Sequence, residues 1–308
     1  MEILVAPVQG HTDAAFRHFH AEQYGGDLTY YTPFIRLENF QLRAKEIKDL
    51  TSVLNSNHKF VPQIIFKDTN ELQRLIELLK EMGFKEIDLN MGCPFPLQMS
   101  HGRGAATISN HQLAESMVEV VNSDSDITFS LKMRLGQNDP EEWKGLMPYL
   151  NRMNLKHIVL HPRIGRQQYS GEPDMEQFGA FLKVSKNPVI YNGDLKHPDD
   201  IEDIRNKFPE IAGVMLGRGL LGRPSLAEEC INGELSKEER VSRMLDFHRK
   251  LFQHYSTVLC GDSQIISKIK PFWEYAEEDI GRKPWKAIKK AVNMAKYQSA
   301  VASINSRL

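Results

Sequence analysis

A rhythm in the sequence constrains this chain most. Short apolar runs rich in β-branched residues alternate with amphipathic stretches of helical period, and this happens eight times before residue 225. The runs fall at 3–6, 28–31, 61–66, 86–90, 128–133, 157–160, 188–191 and 213–216. Between them lie stretches such as 70–82, 110–121 and 141–153, with apolar residues spaced to line one helix face. Strands that alternate with helices pair in parallel through βαβ units. Eight such units predict an α/β fold, a closed (β/α)8 TIM barrel, with a doubly wound open sheet as the competing arrangement. The pattern breaks at 225–237. Beyond it only helical stretches recur, at 237–258, 262–278 and 284–301. The chain therefore divides into a barrel over 1–232 and an all-helical domain over 233–308.

Composition narrows the setting. Hydrophobic residues make up 41%, enough for a large core, yet no apolar run approaches the roughly 18 residues of a membrane span. The first residues, MEILVAPVQG, lack the basic and apolar regions of a secretory signal. Three widely spaced cysteines, Cys93, Cys230 and Cys260, suit neither a disulfide framework nor a structural metal site, so no metal and a cytoplasmic location are expected. Net charge is −1 but unevenly spread. From Ser236 onward there are 14 Lys and Arg against 8 Asp and Glu, a net +6, which leaves −7 on the rest. No acid follows Asp279, whereas Arg282, Lys283, Lys286, Lys289, Lys290, Lys296 and Arg307 do. A basic end on an acidic body points to a polyanionic partner; a solvated helix face is the plainer alternative.

Active sites of (β/α)8 barrels form just past the C-terminal ends of the strands. The polar residues gather there. Glycine-rich turns follow the last two strands, Asn192-Gly193-Asp194 and Gly217-Arg218-Gly219, where backbone N–H groups can approach a phosphate. Ordinary βα turns use the same residues. Lys132 and Arg134 share one face of the fifth strand and so point into the barrel, where a buried cation needs an anionic partner. Cys93 sits in a loop between Gly92 and Pro94. An ordinary thiol stays mostly protonated at neutral pH, which suits proton donation to a carbanion or enolate better than packing. His161 closes the sixth strand beside these cations and reads as a cofactor contact rather than a core histidine.

In this order and spacing, the segments LVAPVQGHTDAAFR, IDLNMGCPFP, GRGAA, LKMRLG, LHPRIGRQQYSG, VIYNGDL and GVMLGRGLLGRPSL resemble the tRNA-dihydrouridine synthase family across the chain. The resemblance implies FMN as cofactor, NADPH as reductant, and uridine in tRNA as substrate, reduced at carbon 6 by hydride and protonated at carbon 5 by Cys93. It places Pro7 and Val8 against the flavin ring, and Gln63, Lys132 and His161 on the ring and ribityl chain. Asn192, Gly193, Asp194, Gly217 and Arg218 form the phosphate and ribityl cradle. Asn90 faces the substrate with Cys93, and Arg134, Arg163, Gln167 and Tyr169 line the RNA side. The helical tail matches the family's RNA-binding domain, and no obligate protein partner is implied. Some positions depart from the family's pattern: Val8-Gln9-Gly10 stands for Met-Glu-Gly, Leu97 for a lysine, and Pro162 and Ile164 flank Arg163 in place of Gly and Thr. The altered loops face RNA, so ribosomal RNA is the alternative substrate. A small-molecule FMN oxidoreductase and a catalytically silent RNA-binding barrel are the rivals of other classes.

Overall fold

The β-branched runs close into a cylinder. The computed structural model describes residues 1–25 and 27–305. Its barrel strands are β1 (Glu2–Val5), β2 (Thr29–Tyr31), β3 in two pieces (Lys59–Val61 and Gln63–Ile64), β4 (Glu86–Met91), β5 (Thr128–Gly136), β6 (Leu155–Ile164), β7 (Val189–Tyr191) and β8 (Gly213–Leu216). All pair in parallel, in the order β3 first piece, β2, β1, β8, β7, β6, β5, β4, β3 second piece. The two ends of the sheet are thus halves of one strand, separated by Pro62. Proline has no N–H to give the ladder, but its carbonyl still accepts from the Asp88 amide at 2.9 Å, so the wall continues across the break.

Helices cover the outside, and their apolar faces explain why. In Thr69–Glu81, Leu72, Leu75, Ile76 and Leu79 are buried at helical spacing, and Asp68 caps the first turn through the Glu71 amide. Inside the barrel, Leu4, Ala6, Tyr31, Val61, Val159, Ile190 and Met215 form a separate apolar cluster. Because alternate strand residues share a face, the same inward rows continue upward as Asp88 and Asn90 on β4, and Ser130, Lys132 and Arg134 on β5. On β6 they carry His157 and His161. The lumen therefore turns from apolar to polar toward the C-terminal mouth.

Several elements differ from the sequence expectation. β5 and β6 run on to Gly136 and Ile164, so Arg163, expected just past the sixth strand, lies on it. A small hairpin, Leu37–Glu38 with Gln41–Leu42, turns through Asn39 and Phe40, both at positive φ; without a glycine it leaves no turn signal. The stretch 262–278 is not one helix: Asp262–Ile269 gives way at Pro271 to a single turn, Lys270–Trp273, and then Glu277–Ile280. The stretch 284–301 is also two helices, Arg282–Lys290 and Met294–Asn305. The Lys270 ammonium donates to the carbonyls of Lys289 and Ala291 at 2.9 and 3.0 Å and ends the first; the Asn293 side chain accepts from the Lys296 amide at 3.0 Å and starts the second. Arg307 lies outside the described residues.

Among the described residues no strand follows Leu216. The helices beyond Ser236 dock on the first barrel helix, Ala14–Tyr24. Phe16 packs edge-on against Phe247 with ring centroids 5.2 Å apart, and Gln23 donates to the Arg243 carbonyl at 2.5 Å. No described helix is long and apolar enough to cross a membrane.

Candidate active site

The C-terminal mouth of the barrel opens into a cavity of about 1050 Å3 that reaches the helical segment Glu274–Asp279. Pro7, Val8, Gln63, Asn90, Cys93, Lys132, Arg134, His161, Tyr169, Asn192, Gly193, Asp194, Gly217 and Arg218 all line it. Two residues placed on the substrate side by the family resemblance do not. Arg163 is buried behind the wall, where it donates to the Gly171 carbonyl at 2.6 Å and to the Asp194 carboxylate. Gln167 turns back on its own loop, accepting from the Ile164 amide at 2.8 Å. Gln168 takes its place in the lining.

Beneath the mouth runs an ordered chain of hydrogen bonds. Asp88, fully buried, accepts from the Ser130 hydroxyl at 2.6 Å and from the Gln63 amide nitrogen at 2.7 Å. That fixes which way the Gln63 amide points, so its oxygen accepts from Asn90 Nδ2 at 2.7 Å. The Asn90 oxygen in turn accepts from the backbone N–H of Gly92 (3.1 Å) and Cys93 (2.9 Å). The carboxylate at the barrel floor thus sets the polarity of every link up to the cysteine loop. Burial pushes the Asp88 carboxyl up to about 6 despite the bonds from Ser130 and Gln63. The sequence assigned no role to Asp88 or Ser130. The signal was their spacing, two residues before Asn90 and Lys132 on inward strand faces.

The adjoining wall is cationic. Lys132 donates to the Asn192 side-chain oxygen at 2.7 Å, and Asn192 donates to the Met215 carbonyl at 2.7 Å. Burial, aided by Arg134, brings the Lys132 ammonium down to about 8. Arg134 ties two loops together, donating to the Gly92 carbonyl at 3.1 Å and the Ile164 carbonyl at 3.0 Å. His161 is held neutral, first by burial and then by the surrounding cations. Its Nε2 lies 3.0 Å from Arg163 Nη1, which can only donate, so Nε2 is the acceptor and the proton sits on Nδ1. Asp194 pairs with Arg163 and, at 2.7 Å, with Arg218; burial opposes its ionisation, but the guanidiniums outweigh it and keep its pKa low. Tyr169 is half exposed, with Arg218 4.0 Å and Arg134 5.5 Å from its ring centre.

Cys93 sits where these walls meet. Its carbonyl accepts from the Ala105 amide at 3.1 Å. Gly104, at φ +63°, lies so close that a Cβ there would stand 2.6 Å from the Cys93 oxygen and 2.8 Å from its Cβ. Burial pushes the Cys93 thiol up, and the Phe95 amide with Arg134 and Lys132 only partly offsets it. At neutral pH it is a protonated thiol at a cavity mouth. The three cysteines are unpaired thiols.

The family model described as dihydrouridine synthase matches residues 4–304. The chain belongs to the dihydrouridine synthase family. A probable tRNA-dihydrouridine synthase of Staphylococcus epidermidis is 27% identical over 260 residues, covering 82% of this chain and 78% of that one. One from Rhodobacter capsulatus is 28% identical over 265 residues, covering 83% and 79%. Among solved structures, morphinone reductase in complex with tetrahydroNAD matches at a TM-score of 0.51 with 10% identity, and a mutant of the same reductase in that complex at 0.53 with 11%; each alignment covers 76% of this chain and 88% of the other. At that identity the likeness speaks for the barrel fold alone. As a dihydrouridine synthase, the chain reduces a uracil ring, and that reaction needs an electron donor and a proton donor on the ring. The protonated Cys93 can meet the second need.

Proposed function

We propose that this dihydrouridine synthase reduces uridine in tRNA to 5,6-dihydrouridine, with FMN seated in the barrel mouth and NADPH as its reductant. The observation that carries the reading is the meeting of a protonated thiol, Cys93, with cations in one cavity: Arg134 is buried, Lys132 donates to Asn192 within the lumen, and Arg218 is partly exposed and paired with Asp194. Buried cations need an anion, and a flavin mononucleotide offers two, its phosphate and the ring edge that gains charge on reduction. When bound, the flavin supplies hydride to carbon 6 of the uracil and is recharged by the nicotinamide.

The chain's own residues do the rest. Lys132 and the Nδ1–H of His161 are donors aimed into the cavity, suited to the ring and ribityl oxygens. Pro7 and Val8 give the ring an apolar face. Gly193 and Gly217 let backbone approach the phosphate, with Arg218 as its counter-charge. Asp194 would repel a phosphate, so its part is to fix Arg218 and Arg163. Asn90, oriented from below by Gln63, faces the uracil with Cys93, and Cys93 delivers its proton to carbon 5 as hydride arrives at carbon 6. The uridine must leave its stack to enter, because a paired or stacked base cannot reach the lumen. Arg134 and Tyr169 stand at the entrance, and the basic tail supplies phosphate contacts.

The test is direct. The purified protein should show a flavin absorption band, and NADPH should bleach it faster than NADH does. Incubated with unmodified tRNA, it should yield dihydrouridine by nucleoside mass spectrometry. Cys93→Ala should keep the flavin and lose on the order of 10²-fold or more in rate. A colourless protein, or full activity without the thiol, refutes the reading.

A further inference from the structure

The cavity mouth carries apolar residues that the chemistry above does not use. Phe95 and Leu97 are 59% and 56% exposed, yet both line the same cavity as Cys93. They bracket Pro96, and Pro94 precedes them, so two fixed backbone torsions hold them outward. The short helix Pro96–Ser100 begins at Pro96, and Gln98, one residue beyond Leu97, is buried and anchors the turn. Elsewhere on the cavity wall, Arg36 and Lys45 come from the segment around the Leu37–Leu42 hairpin. Among the described residues Lys45 makes no ion pair, and Arg36 has only Glu38 at 3.9 Å.

We propose that Phe95 and Leu97 occupy the stack vacated by the flipped uridine, while Arg36 and Lys45 hold the phosphates that flank it. The inference rests on the RNA-reducing reading of this site and adds how the base is extracted. Two residues of chain reach at most about 7 Å, and successive bases stack about 3.4 Å apart. Phe95 and Leu97 are exposed on the wall of the cavity that a uridine must enter to meet Cys93, on the side where its unstacked neighbours must approach. Architectural proteins insert such apolar wedges between bases they unstack. An aromatic or branched side chain replaces stacking that water cannot. It also explains why Leu97 is tolerated where the family's pattern has a lysine: an apolar pair serves the vacated stack, and the charge comes from Arg36 and Lys45.

The experiment uses the flavin-loaded full chain and a stem–loop RNA with one loop uridine, with 2-aminopurine beside it. Wild type should raise the 2-aminopurine fluorescence on binding, as the neighbour loses its stacked uridine, and then quench it as Phe95 fills the gap. In Phe95→Ala with Leu97→Ala the quench should vanish. The ratio of dihydrouridine formed on the stem–loop to that on a short unstructured oligonucleotide should fall about tenfold, and Phe95→Trp should restore it. Arg36→Gln with Lys45→Gln should weaken binding to the stem–loop and flatten its dependence on salt, with the fluorescence pattern retained. Equal loss on folded and unstructured RNA, or an unchanged quench in the double alanine variant, overturns the wedge. A wild type that unstacks the probe yet forms no dihydrouridine overturns the reaction and leaves the wedge standing; one that does neither overturns both.

Discussion

Cys93 remains a thiol although Lys132 and Arg134 face it, because burial outweighs both cations. The consequence is a pH profile. Proton donation should hold steady through about pH 8.5, where an ordinary cysteine has half ionised, and decline only above it. Ultraviolet thiolate titration of the protein, with Cys93→Ala as the blank, checks this. Asp88 behaves oppositely to most carboxylates. Its folded pKa of about 6 lies above an unfolded value near 3.9, so its contribution to stability is present below pH 4 and lost as pH rises through 6. Asp88→Asn preserves both contacts, because an amide can accept from Gln63 and donate to Ser130. It should therefore stabilise the chain by roughly 2–3 kcal/mol at pH 7.5 and by little at pH 4, measured by urea unfolding. The gain has a cost in function. Asp88 supports the Lys132 charge, so the variant should release flavin at a lower pH than wild type. At this scale Cys93 and Lys132 were legible in the sequence, because a polar residue in a loop or apolar strand stands out. Asp88 and Ser130 were not: their role depends on which strands adjoin, a fact of register rather than composition.

Elements obey similar logic. The alternation of runs and helices was enough to read eight βα units, since parallel strands buried on both faces read as short continuous β-branched runs, whereas the covering helices keep a longer stretch with one apolar face. What it missed was a side chain acting at a distance, Lys270 ending a helix some twenty residues on, and a local turn without glycine, the hairpin through Asn39 and Phe40. Gly104 is the most consequential case. It reads as an ordinary loop glycine, yet its missing Cβ is what lets the turn at 102–105 lie on the cysteine loop. Gly104→Ala forces a side chain into the left-handed region, costing about 1–2 kcal/mol, and pushes against Cys93 itself. Thermal unfolding should register the first effect. The second should exceed it: a displacement near 1 Å of a reacting group costs on the order of 10²-fold in rate, so dihydrouridine formation should fall far more than stability, with flavin content retained.

For the whole molecule the question is how a basic tail and an acidic barrel act as one surface. They are joined at Asp13, which caps the first barrel helix through the Phe16 amide at 3.0 Å. The same carboxylate accepts from the Tyr255 hydroxyl at 3.0 Å and pairs with Lys268 at 2.7 Å, both from the helical part. Cutting the chain near Ser236 would strip partners from Asp13 and Phe16 together, so a truncation confounds RNA binding with folding of the barrel. Charge substitution separates them. Lys283, Lys286 and Lys290 are exposed on Arg282–Lys290, where no acid follows in sequence, and among the described residues none forms an ion pair. Each phosphate a lysine neutralises releases counterions and adds about 0.7–0.9 to the slope of log affinity against log salt. Replacing all three with glutamine should flatten that slope for tRNA by about 2–3, most visibly at low salt, with the flavin spectrum and melting temperature unchanged. A slope identical to wild type would mean that the tail's charge merely solvates its helix and that the grip on RNA lies wholly at the barrel mouth.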